Sequence, residues 1–286
     1  MLPSLDHAQP TLESLHTVAR LLGAMRLLVF ERKPNFLELG LKITPDGLST
    51  DVLPSGGEVS LDFRRLALVY QPAAGDPVAL PISGQTQAAL LERLLATIHA
   101  GELAGIVPHA AGASYTDATF AAADGFANRI KPKRVDLSGS TPLSFDAQAA
   151  RSYADALYAI FTGVARFRAR LDGAQSPVVV WPEHFDLSFL WFAAEPDEHH
   201  PHLNFGFAPF SAGMDYPYLY AYAYPYPAQY DPPALPAGAR WQTEGWTGVV
   251  LPYSEIAQRE NAEGYVEASC AAINRALRPL LGLSAS

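Results

Sequence analysis

The run Tyr216-Pro-Tyr-Leu-Tyr-Ala-Tyr-Ala-Tyr-Pro-Tyr226 puts a tyrosine at every second position. Side chains alternate sides along a strand, so the run reads as a strand with one phenol face and one small apolar face of Leu219, Ala221 and Ala223. A face of Leu and Ala fits closely beneath a helix, which leaves the tyrosines on the opposite side of the sheet.

The segments upstream take the same two-sided form. Trp181, Glu183, Phe185, Leu187, Phe189 and Trp191 share one parity, and His184, Asp186 and Ser188 share the other. A continuous strand sets His184 and Asp186 on one face, two rises of ~3.3 Å apart. Beyond the turn Glu198-His-His-Pro-His202, Leu203, Phe205 and Phe207 alternate with His202, Asn204 and Gly206. Paired as an antiparallel hairpin, the two strands gather His184, Asp186, His202 and Asn204 beside Tyr218, Tyr220, Tyr222 and Tyr224. Pro182 is the weak point of this register. A slip by one residue there exchanges the faces and brings Glu183 to the polar side in place of Asp186.

Helical periodicity frames these strands. A helix is expected from about Asp146 to Leu171 with Ser144 as its cap, then strands near 177–182, 185–194, 202–208, 217–224 and 245–251, then a closing helix from Glu263 to Leu280. The first half follows the same order. Leu15, Val18, Leu22, Met25 and Leu28 mark a helix over Leu12 to Val29, and alternation of Leu37, Leu39, Leu41 and Ile43 marks a strand. Short strands follow near 48–53, 59–63 and 66–70, and a helix capped by Ser83 runs from Gln85 to His99. The expected fold class is α+β, with antiparallel sheets and flanking helices in a single compact unit spanning 1–286. The shared element order admits a duplicated helix-strands-helix unit, with halves 10–100 and 144–282 joined by 101–143. Within that joining stretch Asp117 to Arg129 reads as a short helix. A plain connector, a cover over the sheet, a partner contact and a lid are all compatible with its length.

Composition narrows the partners. With 29 acidic against 20 basic residues and a net charge of −9, the chain lacks the basic footprint of a nucleic-acid binder. No apolar run approaches the ~20 residues needed to cross a bilayer, and the N-terminal segment carries no basic leader of the signal-peptide kind, so a cytoplasmic protein without membrane partners is expected. The single cysteine, Cys270, rules out an intramolecular disulfide and a cysteine-based zinc site, and its apolar neighbours Ala268, Ala271 and Ile273 predict a buried thiol.

Three functional readings fit the polar and phenolic surface. In the first, His184, Asp186 and His202, with His199 or His200 nearby, supply nitrogen and oxygen donors to a divalent metal, although neither a His-Glu-x-x-His motif nor a calcium loop is present. In the second, His184 or Glu183 works with Asp186 in acid/base catalysis, since a carboxylate orients an imidazole and burial moves either group toward neutrality. Enzymes built on a Gly-x-Ser-x-Gly elbow, a phosphate-binding loop or a dinucleotide fingerprint are disfavoured, because none of these motifs occurs. In the third, Asn204, Tyr218, Tyr220, Tyr222 and Tyr224 contact a small-molecule ligand through ring faces and hydroxyls. The alternative to all three is a noncatalytic interaction protein whose tyrosine face is buried between the halves or in a homodimer.

Trp181-Pro-Glu-His-Phe-Asp-Leu187, Asn204-Phe-Gly-Phe-Ala-Pro209, Tyr220-Ala-Tyr-Ala-Tyr-Pro225 and Gly245-Trp-Thr-Gly-Val-Val-Leu-Pro-Tyr253 together resemble an uncharacterised bacterial family, a domain of unknown function. The resemblance is strongest over residues 178–254 and extends more weakly into the N-terminal helix and strands. It implies one full-length domain unit. It brings no activity, cofactor or catalytic residue.

Overall fold

A computed structural model of the chain describes residues 1–103, 137, 139–211, 213–226 and 231–283. The chain divides into two compact units whose boundaries interleave. The N-terminal unit comprises Pro10–Ala154 and Trp181–Phe185, and the C-terminal unit comprises Met1–Gln9, Asp155–Val180 and Asp186–Ser286. The expected helix over Asp117 to Arg129 lies outside the described residues. The described elements confirm an α+β chain with helices flanking two antiparallel sheets.

In the N-terminal unit, helix α1 (Gln9–Val29) is followed by strands β1 (Lys42–Thr44), β2 (Gly47–Ser49), β3 (Glu58–Asp62), β4 (Ala67–Gln71) and β5 (Val78–Pro81), and then by helix α2 (Gln87–Ile98). The strands form a meander in chain order. Its register aligns Ile43, Leu48, Leu61, Leu68 and Leu80 in one apolar row across the sheet. Leu15, Val18, Leu22 and Met25 of α1 are fully buried, as their helical spacing predicts. Each such side chain contributes about 1.5–3 kcal/mol by leaving water.

Three expectations for this unit need correction. Leu37 and Leu39 lie in a turn, and of the expected strand through Leu37, Leu39, Leu41 and Ile43 only the end falls in β1, Lys42–Thr44. Asn35 and Phe36 both take φ of 54°, and the carbonyls of Leu37 and Glu38 accept from the buried guanidinium of Arg26 at 3.3 and 2.7 Å instead of from a neighbouring strand. Helix α2 is capped by Thr86, not Ser83, because Thr86 is the extended residue whose hydroxyl accepts from Ala89 N at 3.2 Å. Strand β5 was not expected at all. It is an edge strand with Pro77 before it and Pro81 at its end, and three of its four residues are exposed, so it carries almost no apolar alternation.

The C-terminal unit holds strands β6 (Val179–Trp181), β7 (Asp186–Phe192), β8 (His202–Ala208), β9 (Tyr218–Tyr224), β10 (Arg240–Gln242) and β11 (Gly248–Pro252) in the sheet order β10-β11-β9-β8-β7-β6. Trp181 at the end of β6 is grouped with the N-terminal unit. Helix α3 (Ala147–Arg168) enters this unit from Asp155 onward and is joined by α4 (Tyr253–Ala257) and α5 (Ala262–Leu277). Asp146 replaces the expected Ser144 as the cap of α3: its carboxylate accepts from Gln148 N and Ala149 N at 2.7 and 3.0 Å, and these bonds hold it below the usual carboxylate range. Gly163 lets α3 and α5 approach closely, since a Cβ there would meet Glu263 O at 2.6 Å and Val266 Cβ at 2.7 Å.

The apolar side of the six-stranded sheet carries Leu187, Phe207, Leu219 and Leu251 in one cross-strand row and Phe189, Phe205, Ala221 and Val249 in the next. All eight are buried, and the Phe167 ring of α3 meets Phe205 edge-on at 4.9 Å. Cys270 on α5 is fully buried, and burial pushes its thiol well up from its ordinary range. No described helix is long and apolar enough to cross a membrane.

Candidate functional site

The expected strand through His184 and Asp186 does not form. Residues 182–185 make a tight turn in which Phe185 N donates to Trp181 O at 2.7 Å, and Phe185 takes a left-handed φ of 59°. Such a conformation is strained for a large side chain and persists only where packing fixes it. The packing is evident: Phe185 is fully buried, its ring stacked on His16 at 5.3 Å and near Tyr153 and Phe63 at 5.6 and 6.4 Å. His16 Nε2 lies 3.0 Å from Pro182 O and 3.1 Å from Glu183 O, so the imidazole presents its N–H to the turn's carbonyls. Burial, then the charge of Arg20, lowers the His16 pKa to about 4. His184 is exposed on this turn and Glu183 is half-buried, whereas the β7 ladder begins at Asp186. Pro182, the doubtful residue of the expected strand, is the start of the turn and presses on α1 where Gly23 has no Cβ.

From Asp186 onward the expected register holds. Asp186 and Ser188 of β7, His202 and Asn204 of β8, and Tyr218, Tyr220, Tyr222 and Tyr224 of β9 share one face of the sheet. Cross-strand pairs place His202 beside Tyr224, Asn204 beside Tyr222, Gly206 beside Tyr220 and Ala208 beside Tyr218. The Tyr220 hydroxyl donates to Asp186 Oδ2, Asn204 Nδ2 donates to the Tyr222 hydroxyl at 2.8 Å, and the Tyr218 hydroxyl meets Ser211 Oγ at 2.6 Å. The His202 ring stacks on Tyr224 at 5.0 Å, with Nδ1 2.9 Å from His200 O.

The row is not uniform along its length. Tyr218 and Tyr220 are 4% and 8% exposed, packed with Ala208, Met214 and Val250, and Tyr216 and Trp246 lie against them. Tyr222 is half-buried, while Tyr224 and Tyr226 are 37% and 44% exposed. The Trp246 ring stands edge-on to both Tyr220 and Tyr222 at 6.2 Å, and Tyr226 leans on Tyr222 at 5.5 Å. The inner end is therefore core within its own unit, and the outer end is an aromatic surface.

Burial raises the phenol pKa values along the row: Tyr218 rises, Tyr222 rises to about 12, and Tyr220, which also feels the Asp186 charge, rises well above its ordinary value. Burial lowers the His202 pKa, with the bond to His200 O opposing it. Burial thus keeps Tyr218, Tyr220 and Tyr222 neutral and favours a neutral imidazole at His202. Asn204 is 8% exposed, and its Oδ1 has no hydrogen-bond partner among the described residues. Among those residues no group of three His, Cys, Asp or Glu side chains is arranged to hold a metal ion, which includes the set His184, Asp186 and His202. A separate cleft of about 400 Å³ opens between α3 and α5 and is lined by Arg170, Glu267, Asn274 and Arg275 among others. Asn274 Oδ1 there is likewise buried without a hydrogen-bond partner.

A model of a family of unknown function, DUF5996, matches residues 2–273. The chain belongs to that family. No curated protein and no solved structure matches it. The DUF5996 match covers residues of both compact units, the turn at 181–185 and the tyrosine strand among them.

Three residues of this DUF5996 chain escaped the sequence reading of the site. A Cβ on Gly206 would strike the Tyr220 ring and come within 2.6 Å of Leu187 O, and a Cβ on Gly248 would strike the Trp246 ring and come within 2.6 Å of Ala221 O. These two glycines are notches that leave room for the Tyr220 and Trp246 rings. Glycine inside a strand is the signal that could have found them. Trp246 sits in a loop before β11, and no periodicity marks it.

Proposed function

We propose that this protein binds a small molecule at the outer end of its tyrosine face, over Tyr222, Tyr224, Tyr226 and Trp246. Asn204 carries the reading. A buried amide oxygen left without a donor costs about 1–3 kcal/mol, and a bound group that completes it is one reason for a native fold to retain it. Here the oxygen, without a partner among the described residues, belongs to the side chain that also positions Tyr222, and exposed aromatic rings adjoin it. Flat, half-exposed rings beside a few fixed polar groups are the composition of ligand sites. At the inner end Tyr218 and Tyr220 are already covered by residues of their own unit and are left out of the site.

The test is a nuclear magnetic resonance screen of mixed small polar and aromatic compounds against the wild-type protein and Asn204→Leu. Leucine removes the unpaired acceptor together with one neutral hydrogen bond, so the variant is expected to lose no more than about 1 kcal/mol of stability. Hits are expected to shift the signals of residues 222–226 and 246 and to weaken at least tenfold in the variant. Hits that map elsewhere, or that bind the variant equally well, overturn the proposal. So does a stability loss in Asn204→Leu well above 2 kcal/mol, which marks the amide as a structural anchor.

A further inference from the structure

The outer end of the tyrosine face has a definite electrical character. The faces of Tyr and Trp rings are negative, and several rings meeting at one place attract a cation that has left its water. Tyr220 and Tyr222 lie parallel, 8° apart, with Trp246 across both and Tyr226 against Tyr222. Acidic groups act on the rings: Asp186 holds the Tyr220 hydroxyl, and the charges of Asp186 and Glu198 are the smallest causes of the raised Tyr222 pKa, after burial and Tyr226.

The row already holds a cation at its opposite end. The guanidinium of Arg240 lies over the Tyr216 ring, 5.7 Å from its centroid, and donates to the Tyr216 hydroxyl. Among the described residues, the arginine and lysine groups that stand over aromatic rings do so at Phe30, Phe36, Tyr216, Tyr265 and Trp191, and none does so at Tyr222, Tyr224, Tyr226 or Trp246. The same surface chemistry thus recurs at the outer end with acidic neighbours and with the rings partly open to solvent.

We propose that Tyr222, Tyr226 and Trp246, flanked by Asp186 and Glu198, form a site for an organic ammonium ion. This rests on the small-molecule reading above and specifies its ligand class. The rings take the alkyl groups and the cationic face of the ligand, and the two carboxylates supply the countercharge that the face otherwise lacks. The phenols stay neutral across the physiological range, so their hydroxyls do not compete for the role of anion.

The probes are choline and 3,3-dimethylbutan-1-ol, which share shape and differ in charge, each titrated while the Trp246 indole and Tyr222 amide signals are followed. Choline is expected to shift both signals saturably, and the neutral isostere is not. Glu198→Gln is expected to weaken choline about twofold to fivefold, the range for an exposed cation–aromatic site deprived of part of its field. Tyr226→Ala, on an exposed ring, serves as a second variant that leaves the core intact and is expected to weaken choline to a similar degree. Equal binding of the two probes overturns the ammonium assignment and leaves the small-molecule site standing. No shift with either probe also overturns the assignment, and the broader screen then decides the site by itself. Choline binding unchanged in both variants overturns the location.

Discussion

Buried Tyr220 and half-buried Asp186 are the pair on which the face depends. The phenol is 8% exposed, its hydroxyl donates to the carboxylate, and burial and the Asp186 charge raise its pKa well above the ordinary value. Tyr220→Phe keeps the ring in its notch and removes one charge-assisted hydrogen bond. The expected loss is about 1–3 kcal/mol in a urea melt, because the carboxylate is left with less solvation than it had. Tyr224→Phe is the control: its ring is 37% exposed, and its expected change lies within about 0.5 kcal/mol. Equal small losses in the two variants would show that the Tyr220 bond carries no stability.

At the scale of elements, alternation was readable and curvature was not. The registers of β7, β8 and β9 follow from a period of two that is written locally in Leu203, Phe205 and Phe207 and in Leu219, Ala221 and Ala223. The turn at 182–185 was not readable, because nothing local asks Phe185 to adopt φ of 59°; His16, Phe63 and Tyr153, all distant in sequence, fix it there. The same holds for Arg26, which captures carbonyls 11 and 12 residues away and so removes Leu37 and Leu39 from the sheet. The site was legible as far as it lay on regular strands, and Trp246 was missed because a loop delivers it. Gly206→Ala tests the notch itself. The added methyl meets both a ring and the backbone oxygen of Leu187, so it is expected to cost about 1–3 kcal/mol by overpacking and to shift the Tyr220 ring signals. A variant with wild-type stability and unmoved ring signals would contradict the close fit.

For the whole molecule, pH enters through His16. Its folded pKa of about 4 lies below the ordinary 6.5, so between these values the unfolded chain binds the proton and the folded chain does not. Stability from this group is complete above about pH 6.5 and is lost as pH falls toward 4. The loss is expected to be on the order of 1–3 kcal/mol, read as a falling urea midpoint. Arg20 and His184 face the imidazole with positive charge, and His202, whose pKa burial also lowers, adds a change of the same sign. His16→Phe preserves the stack on Phe185, gives up the bonds to Pro182 O and Glu183 O, and is expected to flatten this part of the pH profile. An unchanged slope between pH 6.5 and 4 in the variant would assign it to other groups.

The interleaved boundaries have a consequence for how the chain is made. Domains of most multidomain proteins fold one after another as they leave the ribosome, at roughly 5–20 residues per second. That order is closed to this chain. The N-terminal unit needs Phe185 between His16, Phe63 and Tyr153, and Phe185 is synthesised only after Asp155–Val180 of the other unit has emerged. The aromatic slot of the N-terminal unit is therefore complete only once the Trp181–Phe185 turn has been made. Neither half, cut at the sequence midpoint and expressed alone, would contain a complete unit.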